Sequence, residues 1–554
     1  MTQGFDYIIV GAGSAGCVLA DRLSGDPALR VCLIEAGPPD ASALIRTPLG
    51  VAGLIGNPKF NWCFNTEPEP QLDGRRLYWP RGKTLGGSSS INAMVYMRGH
   101  AGDFDDWARA LDDRQWGYEA LLPLFREHEN NERGPDRYHG SGGPLNVADL
   151  RDPNPLSAVF IEAARQSGIP LNRDFNGARQ EGVGLHQVTQ KDGRRWSSAR
   201  AFLDRARTRP NLTVLTCARV LRVLLEGKRA VGVELDDAAA GGRRRELRCT
   251  REVILCGGAV NSPQLLLLSG IGPSGELARH GIPLQHELPG VGRNLQDHLD
   301  YTVMIRDRSR RGIGLALSFL PRAIAGVLNY LFRGRGFLAS NVAEAGGFAR
   351  LTAQSERPEV QFHFLPAYLK DHGRKFMLGY GCTLHVCQLR PKSRGYIALK
   401  SADPLDDPLI CANYLDHPDD LRVMIEGIRL ARRVLQAPAF AGIGGGEVEP
   451  GPGVQSDADI AADLRRRAET IYHPVGSCKM GVDGMAVVDS RLRVRGIEGL
   501  RVADASVMPT LIGGNTNAPA MVIAERAARM ILGQHATSGM GDGATRAAGV
   551  ASVA

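Results

Sequence analysis

At 554 residues the chain is too long for one ordinary core, and its 43% hydrophobic and 23% charged content is that of a folded globular protein, not a disordered or fibrous one. Nothing approaches the run of about 18 apolar residues that a membrane-crossing helix needs. The net charge of +8 is moderate for this length and no aromatic-rich basic stripe accompanies it, so nucleic acid is not an expected partner.

Ten cysteines are scattered without a CxxC pair, which argues against a disulfide framework, a zinc site or an iron–sulfur cluster. They read as reduced thiols of a cytoplasmic protein, mostly small core residues. The opening "MTQGFDYIIVGAG" lacks the basic patch, apolar run and cleavage site of a secretory leader and passes almost at once into a strand, which gives the same expectation.

"DYIIVGAGSAGCVLADRLS" reads as a strand, a glycine-rich turn and a helix, and "VCLIEAG" as a second strand ending at Glu35. The unbroken apolar run of the first strand is that of a parallel sheet buried on both faces. Gly11, Gly13 and Gly16 form GxGxxG. The first permits the tight turn, the second lets the backbone approach a pyrophosphate, and the third lets the helix pack on the strand. The helix N-terminus offers free N–H groups and partial positive charge to phosphates. Glu35 can accept bonds from ribose hydroxyls, and its charge disfavours the extra phosphate of NADP. GxGxxG alone would fit any tight strand–helix turn; with both strands, the helix and the carboxylate in place it predicts a dinucleotide site.

Later segments choose between dinucleotides. "RGKTLGGSSSINAMVYMRG" (81–99) is a Gly/Ser loop, and Gly86 and Gly87 allow close backbone approach. "NLTVLTCARVLRVLLEGKRAVGVEL" (211–235) alternates as strands with a turn at Gly227, and "RVMIEGIRLARRVLQ" (422–436) has helical spacing. "GLRVADASVMP" (499–509) reads as a short strand ending at Asp504, then small residues suited to a ribityl or phosphate region. An NAD domain is normally complete early in a chain. Site-like loops at both ends point to a longer cofactor, FAD.

These stretches, together with "GAVNSPQLLLLSGIG" (258–272) and "HELPGVGRNLQDH" (286–298), resemble the signatures of the glucose–methanol–choline (GMC) flavoprotein oxidoreductases, over essentially the whole chain to about residue 533. "NVAEAGGF", "YLKDHGRK" and "RRRAETIYHPVG" resemble most the choline-dehydrogenase branch and the membrane-associated alcohol dehydrogenases of alkane oxidation. The resemblance implies a mixed α/β fold. A Rossmann-like FAD-binding domain would be assembled from roughly 1–150, 190–300 and 465–535, interleaved with a substrate domain on an antiparallel sheet from roughly 151–189 and 301–464. Residues 536–554, small and polar, read as a disordered tail. The resemblance further implies that Ser14, Ala15, Ala36, Val95, Val220 and Ala505 join the glycines, Glu35 and Asp504 around FAD, with Asn92 beside the flavin. Some family oxidases attach FAD through a histidine four residues after the second glycine of the GG pair. Ile91 stands there, so non-covalent FAD is expected.

Oxidising an alcohol removes a hydride from carbon and a proton from oxygen. Water accepts protons poorly at neutral pH, so a positioned base gains about 10²–10⁴-fold. In "HPVGSCKMG" (473–481), Pro474 biases His473 toward an extended backbone, and Gly476 and Ser477 leave room for a ligand. An isolated His-Pro is more often a turn than a base; the resemblance makes His473 the expected proton acceptor. Its companion in "GGNTNAPA" (513–520) is Asn515, whose amide can donate to the substrate oxygen, with Asn517 as the rival. A helix beginning near Pro519 would aim its N-terminus at the flavin.

The segment 304–336 holds seven arginines between Arg306 and Arg335 against one acidic residue, Asp307, with apolar residues between them and Pro321 as a break. Two readings stand: a helix lying in a lipid headgroup layer, or an amphipathic helix packed on the protein's own core. "SNVAEAGGF" carries Val342 and Ala343 where choline dehydrogenases commonly have a histidine and an aromatic residue, which removes a face for a trimethylammonium group. The expected reaction is therefore oxidation of a primary aliphatic alcohol, with a quinone or other acceptor taking the electrons; the protein is expected in the cytoplasm and, on the first reading of 304–336, peripheral on the inner membrane face. Choline dehydrogenase and oxygen-using oxidase are the alternatives, and an FAD-containing hydroxynitrile lyase is the alternative of another class.

Overall fold

The computed structural model describes residues 4–237, 241–375 and 377–533. The tail expected at 536–554 lies outside them.

Two sheets organise the chain. In the first, Phe5–Val10 lies parallel to Val31–Ile34, with Tyr7 opposite Val31 and Val10 opposite Ile34. Leu212–Leu215 adds beyond Val31–Ile34, while Arg243–Leu255 and Leu500–Val502 add on the other side, all parallel. The 13-residue strand Arg243–Leu255 serves two pairings. Its C-terminal half belongs to the parallel sheet; its N-terminal half pairs antiparallel with Arg229–Asp237, which pairs in turn with Ala218–Glu226. The alternating stretch 211–235 is thus a parallel strand and a hairpin, separated by Cys217 at φ +55° and turning at Gly227, φ +58°.

The second sheet is antiparallel between all its neighbours, in the order Gly444–Glu449, Leu299–Asp307, Gly381–Gln388, Val360–Leu365, Ala345–Ala349 and Gly182–Leu185, with Glu469–Thr470 beside Leu299–Asp307. The helix expected around 422–436 runs from Pro418 to Leu435 and lies directly on this sheet. A Cβ at Gly427 would come within 2.9 Å of Val386 and 3.0 Å of Val360, so only glycine permits the approach. Each sheet carries its own hydrophobic core. The architecture is the expected mixed α/β fold.

Two expectations are corrected. The segment 304–336 forms the end of strand Leu299–Asp307 and a helix, Leu320–Arg333, in which no residue is buried; packing on the protein's own core is not what forms. Pro321 does not break that helix. It stands in the first turn, where a missing N–H costs no bond. The last helix begins at Asn517, ahead of Pro519, for the same reason. Among the described residues, no helix is long and apolar enough to cross a membrane.

Candidate active site

Residues from both sheets line a cavity of about 630 Å³. Gly11, Gly13, Ser14 and Ala15 reach it from the glycine turn, Glu35 and Ala36 from the end of the second strand, and Val220 from the hairpin. Gly87, Asn92 and Val95 reach it from the Gly/Ser loop, and Asp504 and Ala505 from beyond the last strand. Gly16 and Gly86 do not line it. Gly16 sits where a Cβ would lie 1.9 Å from the Gly11 carbonyl oxygen, and the Gly86 N–H donates to Ala12 O at 2.7 Å. Both act behind the cavity wall.

The wall is backbone pressed on backbone. Gly11 has φ +101°, and a Cβ there would lie 2.6 Å from Cys256 O. Gly87 has φ +51°, and a Cβ would lie 2.7 Å from Gly13 Cα, so the Gly/Ser loop rests on the glycine turn. Helix Ser14–Leu23 starts at Gly13 with no side chain capping it, which leaves its first N–H groups for an anion. Glu35 braces the same turn: Oε2 accepts from the Ala12 N–H and Oε1 from the Gly37 N–H, each at 2.9 Å, and burial pushes its carboxyl up to about 7. Asp504 braces the start of helix Gly258–Leu268, accepting from Gly258 N–H at 2.8 Å and Ser262 Oγ at 2.6 Å, with burial raising its carboxyl as well. An uncapped helix start beside closely packed glycine backbone, with two braced carboxylates, fits a dinucleotide.

His473 also lines the cavity, and one carbonyl fixes which of its nitrogens is basic. His298 Nε2 lies 3.0 Å from Leu389 O, which can only accept, so that nitrogen carries the proton. Burial lowers His298 to about 4, so the ring is neutral and its Nδ1 is bare. His473 Nδ1, 3.0 Å away, must then donate to it. Burial first, then the nearby His298 and Arg81, hold His473 well below the usual histidine range, so it is neutral too. Its Nε2 is left as a lone pair, 3.1 Å from Asn515 Nδ2, which donates to it. Asn515 Oδ1 in turn accepts from Gln361 Nε2 at 3.1 Å. Every link follows from the Leu389 carbonyl together with the neutrality of the two rings.

The backbone at His473 is held as firmly. Its N–H donates to Asp297 Oδ1 at 2.7 Å, and the second Asp297 oxygen accepts from Tyr414 and Thr470. Tyr472, φ +73°, turns the chain just before it, and Arg81 Nη2 donates to Tyr472 O at 2.6 Å. Asn517 lines the same cavity, but its Oδ1 is taken up by Ser14 Oγ, from which it accepts at 2.7 Å. Sequence reasoning missed His298, Asp297, Gln361 and Arg81. His298 and Asp297 stood inside "NLQDH", yet nothing local marks them as partners of a loop 175 positions on. His363 was also missed; it lines the cavity, and among the described residues neither of its ring nitrogens has a hydrogen-bond partner.

The fold and cavity define an α/β nucleotide-binding protein with an oriented imidazole–amide pair in its cleft. The chain belongs to the GMC oxidoreductase family, whose N- and C-terminal models match residues 5–300 and 391–524. It is 56% identical over 531 residues to an alcohol dehydrogenase (acceptor) of Pseudomonas putida, covering 95% of this chain and 96% of that one. It is 45% identical over 542 residues to the mitochondrial choline dehydrogenase of Homo sapiens, covering 96% and 90%. Its structure resembles that of the Aspergillus oryzae RIB40 formate oxidase, studied for modification of its FAD, with a TM-score of 0.89, 29% identity and coverage of 97% and 99%.

Proposed function

We propose that this protein oxidises primary aliphatic alcohols to aldehydes with non-covalently held FAD and passes the electrons to a quinone-type acceptor at the cytoplasmic face of a membrane. The observation that carries the reading is the bare Nε2 of His473 facing the cavity beside the Asn515 amide. The alcohol dehydrogenase of Pseudomonas putida supports the substrate class and the use of an acceptor.

The glycine turn and the N-terminus of helix Ser14–Leu23 would hold the pyrophosphate, Glu35 the ribose, and Asn92 and Val95 the flavin side. FAD bound there supplies a two-electron acceptor for the alcohol carbon. Ile91 lines the cavity with a hydrocarbon side chain, which leaves the cofactor unlinked. In this reading FAD lies on 1–150, 190–300 and 465–535 and the substrate on 151–189 and 301–464, a division that follows the two sheets except at Glu469–Thr470, which pairs with the antiparallel one.

A hydroxyl entering between His473 and Asn515 gives its proton to Nε2. The Asn515 Nδ2–H, released from Nε2, donates to the oxygen as negative charge develops there. The Nδ1–H bond to His298 keeps the imidazole from turning its protonated nitrogen toward the substrate. Val342 and Ala343 line the cavity with aliphatic surface and offer no aromatic face to a quaternary ammonium, which favours an aliphatic chain. The choline dehydrogenase relative supports choline as the second reading.

Anaerobic addition of 1-octanol to the FAD-loaded protein should remove the oxidised flavin's visible absorbance, and choline should do so far more slowly. A quinone analogue should then restore the colour faster than oxygen. Colour that survives every alcohol, with cleavage of a cyanohydrin instead, would make the protein a lyase and overturn the proposal.

A further inference from the structure

The helix Leu320–Arg333 touches the rest of the protein along one side only. Gly326 lies on that side, where a Cβ would come within 2.3 Å of the Phe337 ring. On the other side Leu320, Ile324, Leu328, Leu331 and Phe332 are 50% to 82% exposed, spaced so that they share one face. Leu317 and Leu378 extend this surface at 91% and 83% exposure. Monomeric soluble proteins rarely leave so continuous an apolar surface to water.

The surface runs into the cavity. Leu315 pairs with Leu378 and Gly379 through bridge contacts, and it lines the cavity together with Ile313, Leu369, Met377 and Gly379. The entrance is therefore bordered by the exposed patch. Around it, Arg308, Arg310, Arg311, Arg322 and Arg333 are exposed, and among the described residues none of them forms an ion pair with a carboxylate. The acidic neighbour in sequence, Asp307, is buried and accepts from the Arg310 and Gly312 N–H groups.

We propose that Leu320–Arg333 and the adjoining Leu315 and Leu378 surface dock on an anionic lipid bilayer, so that the cavity opens toward the lipid and long-chain alcohols enter from it. This rests on the alcohol-oxidising reading and adds where its substrate comes from. The helix has 14 residues, about 21 Å, too short to cross about 30 Å of hydrocarbon, and lies flat with its leucines in the acyl boundary and its arginines at the headgroups. A second copy of the chain fits less well, since it would bring the same arginines face to face.

The FAD-loaded protein should float with vesicles of phosphatidylcholine and phosphatidylglycerol, less with phosphatidylcholine alone, and less at high salt. The variant Leu320→Gln, Ile324→Gln, Leu328→Gln, Leu331→Gln should stay with the unbound fraction. Its flavin should still be reduced by 1-butanol in water within about twofold of the parent rate, while reduction by 1-dodecanol carried in vesicles falls about tenfold or more. Arg308→Glu with Arg311→Glu, which leaves the apolar face intact, should lose flotation on the anionic vesicles. A parent protein that does not float, a glutamine variant that floats equally, or an unchanged 1-dodecanol rate would overturn the proposal. So would a parent dimer that the glutamine variant splits into monomers, since the face would then belong to a second copy. Failure of 1-butanol to reduce even the parent would sink the alcohol reading instead, leaving the flotation result to stand by itself.

Discussion

At the scale of single residues, the decisive atom is the Leu389 carbonyl oxygen, which does no chemistry. It sets the tautomer of His298, and His298 sets that of His473. His298 is thus a positioning residue. In His298→Ala, His473 can turn or change tautomer, and anaerobic flavin reduction by 1-octanol should slow by about 10–100-fold, about 1.4–2.7 kcal/mol. His298→Gln, whose amide oxygen can still accept from Nδ1, should recover part of the loss; equal rates in parent and His298→Ala would refute the positioning role. The pH dependence has a definite sign. The base works neutral, and its folded value lies below histidine's usual 6.5, so the rate rises with pH along a limb below 6.5 and is flat above it. A limb centred above pH 7 in kcat/KM would contradict this. His473 and Asn515 were legible because a motif holds them in fixed local surroundings. His298 and Gln361 were not, because their meaning depends on contacts 175 and 154 positions away.

At the scale of elements, the glycine turn and the Gly/Ser loop act as one unit. In Gly87→Ala the added methyl would meet Gly13 Cα at 2.7 Å, in a backbone conformation that alanine disfavours. The variant should lose about 1–3 kcal/mol of stability and release FAD on gel filtration. A variant with parent-like unfolding temperature and full FAD content would show that the close packing is not needed. The first strand, turn and helix were legible because apolar run, glycine spacing and Glu35 all lie within one short stretch. Other elements depended on position. Pro321 reads as a break in isolation but starts a helix, since an N-terminal turn asks for no N–H from it. The stretch 211–235 reads as alternating strands, and only the turn at Cys217 sends its first part to the parallel sheet and the rest to a hairpin. Whether 304–336 packs inward could not be read from an amphipathic pattern, because the pattern is the same whichever apolar phase receives it.

At the scale of the molecule, the cavity exists because two separately cored sheets meet. The parallel sheet brings the glycine turn, Glu35 and Asp504; the antiparallel sheet brings Gln361, His363 and the Leu389 carbonyl; His473 and Asn515 close the cleft from late in the chain. The mixed α/β class was legible from the N-terminal unit and the motif resemblance. The order of the antiparallel sheet was not, since it pairs Gly182–Leu185 with Ala345–Ala349 and Leu299–Asp307 with Gly444–Glu449 across long stretches of chain. The account's central claim is that His473 Nε2 accepts the substrate's hydroxyl proton as the flavin is reduced. The most direct test is rapid-mixing anaerobic reduction by 1-octanol of parent and His473→Ala proteins matched for FAD content. The account predicts reduction about 10²–10⁴-fold slower in the variant, with FAD retained. A variant that bleaches at the parent rate would contradict it.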